Sequence, residues 1–182
     1  MGRWVRAAVA ITVAVAVTTS PTLSTSAGHC VGDDVVMAAS WADAYPTIDE
    51  MVAAADAVVQ VRVTGVADTG LIDSDVNSVP YTDFSARAFR ILTGRTDEDI
   101  TIRQTGGELA CDHYVISGDP MLQPEAEYVV FLTEFAPGQY RINGGPTGRL
   151  MLDGERLSQL PDSILDPVQV PADITTLRDL IG

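Results

Sequence analysis

Apolar and polar residues alternate along several short stretches of the chain, which is the pattern of strands with one buried and one exposed face. The clearest stretch is 57–66, where three valines alternate with Gln60 and Arg62. A second clear stretch, 100–105, has the same period of two. Residues 128–133 instead carry apolar side chains on both faces, which indicates a strand in the middle of a sheet.

Two further regions have weaker strand patterns. Residues 81–92 predict a strand with Phe89 and Ile91 directed inward, reached through a polar, Asp-rich connection. Residues 139–143 and 148–152 flank a Gly-Gly-Pro segment, which predicts a closing hairpin with a broad turn.

Two short amphipathic helices are predicted near the ends of this strand region. Thr47 and Glu50 have the spacing of a capping box and predict a helix over 48–55. Asp173 predicts the N-cap of a helix over 174–181, which presents one apolar face. Because strands and helices do not alternate, the pattern excludes a parallel α/β sheet and favours a small barrel or sandwich.

The net charge of the chain limits the classes of molecule that it can bind. Eleven basic residues, all arginine, face 25 acidic ones, and the formal net charge is −14. Nucleic-acid binding needs a basic surface that displaces counterions from phosphates, so we expect no nucleic-acid partner. The same charge disfavours docking on anionic lipid.

The N-terminus has the three parts of a secretory signal: basic residues, an apolar run over 7–17, and small residues ending at Ala27. The apolar run would span only about 16 Å as a helix, whereas a bilayer core needs about 30 Å. We therefore expect residues 1–27 to be removed and the mature protein to be secreted, free of the membrane and monomeric.

The remaining residues fit one domain with three parts. Residues 28–46 form an irregular lead-in that carries Cys30, residues 47–152 form the β domain, and residues 153–182 form an extension with the last helix.

Cys30 and Cys111 are the two cysteines of the chain, and in an exported protein they predict a disulfide bond. The chain-entropy argument assigns about 4.5 kcal/mol to a loop of this length. Two free thiols, or a metal site completed by His29 and His113, are the alternatives. The spacing of these four residues is not that of a zinc site, so we expect no metal.

The succession of pieces resembles a known module. A strand opened by Ala55-Asp56 is followed by 89–94, by 100–105, by Cys111 and by the apolar strand 127–132. This order resembles the netrin-like OB-fold module of tissue inhibitors of metalloproteinases, and also exported proteins of high-GC bacteria. The resemblance implies a five-stranded OB barrel. Together with the pattern of elements it predicts a mainly β, five- to six-stranded OB-like barrel with a short helix before its first strand and an amphipathic C-terminal helix.

The resemblance also implies a role for the first cysteine. In those inhibitors an N-terminal Cys chelates the zinc of the protease, and a second Cys clamps it. Cys30 and Cys111 match this pairing in position, but Gly28 and His29 precede Cys30 if cleavage follows Ala27. The resemblance therefore implies the fold and the clamp more directly than it implies inhibition.

The sequence contains no catalytic motif that is more specific than a chance occurrence. No Gly-x-Ser-x-Gly elbow occurs, and Cys111 with His113 is a poor nucleophilic dyad because neighbours at this spacing in a loop diverge. Asp73, Asp75 and Asn77 mimic the first half of a calcium loop, which makes them candidates for weak calcium binding or simply an acidic loop.

Two other segments have structural interpretations. Residues 144–148 are rich in glycine but lie between two predicted strands, and no helix begins after them. They therefore predict a turn and not a phosphate-binding loop, which needs the N-terminus of a helix. Trp41 and Tyr45 are either an exposed aromatic contact or a cover over an open barrel end.

The sequence therefore predicts a secreted, non-enzymatic binding module with no cofactor and no catalytic residues. Its ligand is an extracellular protein or a small molecule. A protease inhibitor that uses the clamped N-terminus and a hydrolase that uses paired carboxylates are the alternatives.

Overall fold

The computed structural model describes residues 32–38, 45–73 and 78–182. In these ranges the chain forms ten strands and two α-helices. The strands are β1 (Asp34–Met37), β2 (Ala57–Asp73), β3 (Ser78–Gly94), β4 (Asp99–Thr105), β5 (Gly107–Leu109), β6 (Asp112–Ile116), β7 (Glu127–Ala136), β8 (Gln139–Ile142), β9 (Arg149–Asp153) and β10 (Arg156–Gln159). The helices are α1 (Ile48–Ala54) and α2 (Ile174–Ile181). The predicted mainly β class, with a helix before the barrel and another at the C-terminus, is confirmed.

Five of the strands pair in a ring. β2 is antiparallel to β3, and β3 is antiparallel to β4. β4 then pairs in parallel with β8, β8 is antiparallel to β7, and β7 returns antiparallel to β2. The parallel pair of β4 with β8 is the step that completes this ring of pairings. The other five strands extend this ring or form a small separate sheet, β1-β6-β5.

The interior of the ring is filled by small and medium-sized side chains. Valines of β2 meet Ala86 and Ala88 of β3 and Ile102 of β4 in one buried cluster. The prediction that Phe89 and Ile91 face inward is wrong, since their side chains are 49% and 48% exposed. Strand β3 has an irregularity here, because Arg90 and Ala88 pair with successive residues of β2. Ala86 and Ala88 are the inward residues before this irregularity, so Phe89 lies next on the outer face, and small side chains such as alanine suit the narrow interior. Ile91 comes after the irregularity and pairs with the buried Val59, but its side chain stays half exposed.

Strand β7 is buried on both faces, as predicted. Val130 and Leu132 point into the ring, while Val129 and Phe131 point outward into a second buried cluster. The second cluster is formed by α1, α2, β9 and β10 together with parts of the C-terminal extension. The outer face of the barrel is thus covered here, which explains why no polar alternation is seen in this strand.

Both helices begin at the predicted residues. The amide of Glu50 donates to Thr47 Oγ1 at 3.2 Å, and the amide of Thr176 donates to Asp173 Oδ1 at 2.7 Å. These caps satisfy amides that have no partner inside a helix. No helix in the described part of the chain is both long and apolar enough to cross a membrane.

The predicted hairpin of 139–143 with 148–152 is wrong. β8 and β9 follow one another along the edge of β7 that lies opposite β2. Between them Gly145–Gly148 form a turn of 3₁₀ helix, entered through Gly144 at φ +60°. A side chain at Gly148 would lie 1.8 Å from the carbonyl oxygen of Asn143, so only glycine fits there. This turn moves the chain from its pairing with β4 to its pairing with β10.

Three connections that were predicted as irregular contain strands. In the lead-in, β1 pairs in parallel with β6, and the predicted loop around Cys111 is the β5–β6 hairpin. The Asp-rich connection continues β2 to Asp73 and starts β3 at Ser78. These segments are stabilised as strands by pairing with other parts of the sheets, which the alternation within each segment does not reveal.

Candidate functional site

A polar cavity of about 360 Å³ lies at the seam where β4 meets β8, near the C-terminal ends of both strands. Its lining comes from five separate parts of the chain. The described residues that line it are Tyr45, Arg103, Gln104, Thr105, Asp119, Thr133, Arg141, Ile142, Asn143, Gly144 and Gly145. Its volume is in the range of small-molecule sites.

Two arginines stand side by side on one wall of the cavity. Arg103 of β4 and Arg141 of β8 are directly paired in the parallel ladder. Their neighbours Ile102 and Tyr140 point into the barrel, so the two arginines point outward on the same face. Like charges at directly opposed positions destabilise a sheet, and the arrangement is unusual in a chain with so few cations.

Arg103 is fully engaged within the fold. Its Nε and Nη2 each donate to one oxygen of Asp83 at 2.8 Å, which is a bidentate pair. The guanidinium carbon also lies 3.7 Å from the ring centre of Tyr81 and 5.0 Å from that of Phe135. The hydrogen bonds to Asp83 raise the pKa of Arg103 above its usual value. This side chain therefore ties β3, β4 and β7 together.

Arg141 has no such partner. Its side chain is exposed, and no carboxylate of the described residues lies within ion-pair distance of it. The positive charge of Arg103 is compensated by Asp83, whereas that of Arg141 is not.

A buried ion pair joins the cavity lining to the interior. Arg149 is 1% exposed, and its Nη2 donates to Asp119 Oδ1 at 2.7 Å and to the carbonyl oxygen of Pro120. Burial raises the pKa of Asp119, and Arg149 opposes that shift. Burial likewise lowers the pKa of Arg149. Since Asp119 lines the cavity, the pair fixes both the shape and the charge of this wall.

Several donors near the cavity lack an acceptor. Nε and Nη1 of Arg149 are buried without a partner among the described residues. Asn143 is 7% exposed, and its Oδ1 accepts from the hydroxyl of Thr133 while its Nδ2 is buried and without a partner. Buried donors without acceptors leave a region of positive potential, which an acceptor oxygen would stabilise.

Gln104 holds the loop that carries Asp119 against β4. Its Nε2 donates to the carbonyl oxygen of Pro120 at 3.1 Å, and its Oε1 accepts from the amide of Leu122 at 2.9 Å. The loop is therefore anchored through both ends of one side chain, so the cavity is formed before any ligand arrives.

Only one of the two cysteines of the predicted disulfide lies within the described residues. Cys111 lies in the turn between β5 and β6, and Cys30 is outside the described residues. Gly32, two positions after Cys30, packs so closely on the backbone of Cys111 that a Cβ would lie 1.6 Å from its carbonyl oxygen. The lead-in thus runs past Cys111, and the bond itself stays a prediction.

The candidate calcium residues are also largely beyond the described ranges. Asp75 and Asn77 lie outside them, and nothing is described of the Asp73 side chain. His113 faces β1, with its Nδ1 3.3 Å from Asp34 Oδ1. Within the described residues, no three His, Cys, Asp or Glu side chains cluster as metal ligands would.

Most of the cavity was missed from the sequence. Tyr45 was considered as an aromatic contact and does line the cavity, while Trp41 lies outside the described residues. The glycine segment was expected to be a turn that opens no helix, yet it begins a 3₁₀ helix and contributes Gly144 and Gly145 to the wall. The available clue was an arginine on the polar face of a predicted strand, at position 103.

No family model matches the chain, and no curated protein is similar enough to it to count as a relative.

Proposed function

We propose that the protein is an exported, non-enzymatic binding module and that the cavity between β4 and β8 is its ligand site. The observation that carries the proposal is the pairing of Arg103 with Arg141 on the cavity wall. Asp83 compensates the charge of Arg103, whereas Arg141 has no carboxylate partner among the described residues, and a site for a polar ligand explains why an unpaired cation stands there.

The rigidity of the wall supports binding rather than a purely structural role. Arg103 is fixed by Asp83 and two aromatic rings, and the loop of Asp119 is fixed by Gln104. A preformed site loses little conformational entropy when a ligand binds.

A hydrolase with paired carboxylates is less well supported. Of the described residues that line the cavity, only Asp119 carries a carboxyl group. That carboxyl group already accepts a hydrogen bond from Arg149. Hydrolysis by a carboxylate pair needs two such groups on opposite sides of the scissile bond. The inhibitor alternative depends on Cys30, which lies outside the described residues.

Export and the Cys30–Cys111 bond belong to the same proposal. The parallel pairing of β1 with β6 supports the bond, since it brings Gly32 against Cys111. One residue, Val31, separates Cys30 from Gly32 in the sequence, so the bond requires the chain to span only a short distance from the Gly32 contact.

Blocking the cavity tests the proposed function. Thr105 lines the cavity, whereas Thr101 lies on the same face of the same strand and does not line it. We expect a thermal-shift screen of small acids, sugars and amines to find ligands that stabilise the mature protein. Thr105→Trp should abolish that stabilisation, because the indole fills the cavity, and Thr101→Trp should keep it.

Two results would contradict the proposal. One is that no member of the screen stabilises the unmodified protein. The other is that the Thr105→Trp protein, folded as judged by circular dichroism, is stabilised as much as the Thr101→Trp control.

A further inference from the structure

We propose that the ligand of this cavity is a small organic acid with one negative charge, whose carboxylate pairs with Arg141. This inference rests on the proposed function and names the chemical class that the same site takes. It follows from the balance of charge in the cavity, from the unpartnered donors and from the size of the cavity.

The first step is the balance of charge. Among the described residues, the lining contains three charged side chains, Arg103, Arg141 and Asp119. Arg103 is neutralised by Asp83, and Asp119 by Arg149. In this described part of the lining, the positive charge of Arg141 is left over. A ligand with a single negative charge restores neutrality, whereas a divalent anion would leave an excess charge beside Asp119 in an acidic protein.

The second step is the geometry of the wall. Arg141 lies between Arg103 on β4 and Thr133 on β7, its two ladder partners. Its guanidinium has a planar fork of donors that matches the two oxygens of a carboxylate. A carboxylate bound there pairs with the uncompensated charge of Arg141, so ligand binding should stabilise the folded protein.

The third step is the set of donors around the cavity. Asn143, whose Nδ2 is without a partner among the described residues, lines the cavity, and Arg149, with two nitrogens without such a partner, is bonded to the lining residue Asp119. All three are donors, so the local potential favours an acceptor group rather than an ammonium or another cation.

The fourth step is size. A carboxylate alone is much smaller than the 360 Å³ cavity. Tyr45 and Ile142 add an aromatic ring and an aliphatic side chain to the lining. The remaining space therefore suits a short organic body, which separates an organic acid from a bare inorganic anion.

Three probes separate these possibilities. We would titrate the mature protein with butanoate, with its neutral analogue butanamide and with inorganic phosphate, and follow the amide chemical shifts of Gly144 and Gly145. We expect butanoate to shift these signals at lower concentration than either of the others. Loss of one charge-assisted bidentate contact should weaken butanoate about tenfold or more in Arg141→Gln.

Arg95→Gln is the matched control, because Arg95 is an exposed arginine in the turn between β3 and β4 and does not line the cavity. The control should bind butanoate as the unmodified protein does. Without ligand, Arg141→Gln should melt at about the same temperature as the unmodified protein, because the Arg141 side chain is exposed and forms no ion pair with the described residues. A structural role for Arg141 would lower the melting temperature.

The outcomes distinguish the proposed ligand class from the proposed binding site. Butanamide or phosphate binding as well as butanoate at Gly144 and Gly145 overturns the ligand class and leaves the binding site in place. An unchanged affinity for butanoate in Arg141→Gln also overturns the ligand class. No shift with any probe, together with a thermal-shift screen that finds nothing, overturns both.

Discussion

Replacing Arg149 with methionine should lower the free energy of unfolding by about 3–5 kcal/mol, the usual loss when one member of a buried ion pair is removed. The reason is the carboxylate left behind. Asp119 is buried and accepts from Arg149 Nη2 at 2.7 Å, so in Arg149→Met its charge would stay buried without a cation. Chemical denaturation followed by circular dichroism measures the loss.

The double variant Asp119→Leu/Arg149→Met is the control for this prediction. With both charges removed, no uncompensated charge is buried, and we expect most of the stability to return. A double variant as unstable as Arg149→Met would mean that packing of the arginine, and not its charge, holds this wall.

The loss in Arg149→Met should also depend on pH. Burial already raises the pKa of Asp119, and removal of the opposing Arg149 raises it further. The folded state then binds a proton more tightly than the unfolded state does, so stability falls as pH rises through the folded pKa. The deficit should therefore be full at neutral pH and smaller in acid, where Asp119 is protonated.

The second large effect is expected from Phe131→Ala, which should cost about 3–5 kcal/mol. Phe131 is fully buried on the outer face of β7, against the helices and β9. The same substitution at Phe89, which is about half exposed, should cost no more than about 1 kcal/mol. The two variants remove the same atoms, so their difference in denaturation midpoint reports position alone.

This comparison tests which side chains of strand β3 point into the interior and which point outward. If Phe89 pointed into the barrel, as the alternation suggested, Phe89→Ala would be as damaging as Phe131→Ala. Similar losses for the two variants would show that Phe89 does not lie on the outer face and that the interior is built from different residues.

Local patterns were enough to predict much of the framework. The alternation of β2 and β4, the doubly apolar β7, and both helix caps are properties of neighbouring residues, and the structure has them where they were expected. The strand pairings were not predictable in the same way. Residues 139–143 and 148–152 look like a hairpin because they are close in sequence, yet each half pairs with β7.

The cavity could not be predicted because its residues meet only after the ring is formed. Arg103 and Arg141 are far apart in sequence, and the parallel pairing of β4 with β8 makes them neighbours. Parallel pairing depends on long-range closure and not on a turn, so no local motif marks it. The Arg149–Asp119 pair is likewise a contact between distant segments.

Fold and proposed function therefore depend on the same step, the closure of the ring between β4 and β8. The most direct measurement is a set of nuclear Overhauser contacts across that seam in isotope-labelled protein. We predict contacts that join Ile102 to Tyr140 and Arg103 to Arg141. Contacts that instead pair 139–143 with 148–152 as a hairpin, and none between β4 and β8, would contradict both the ring and the cavity.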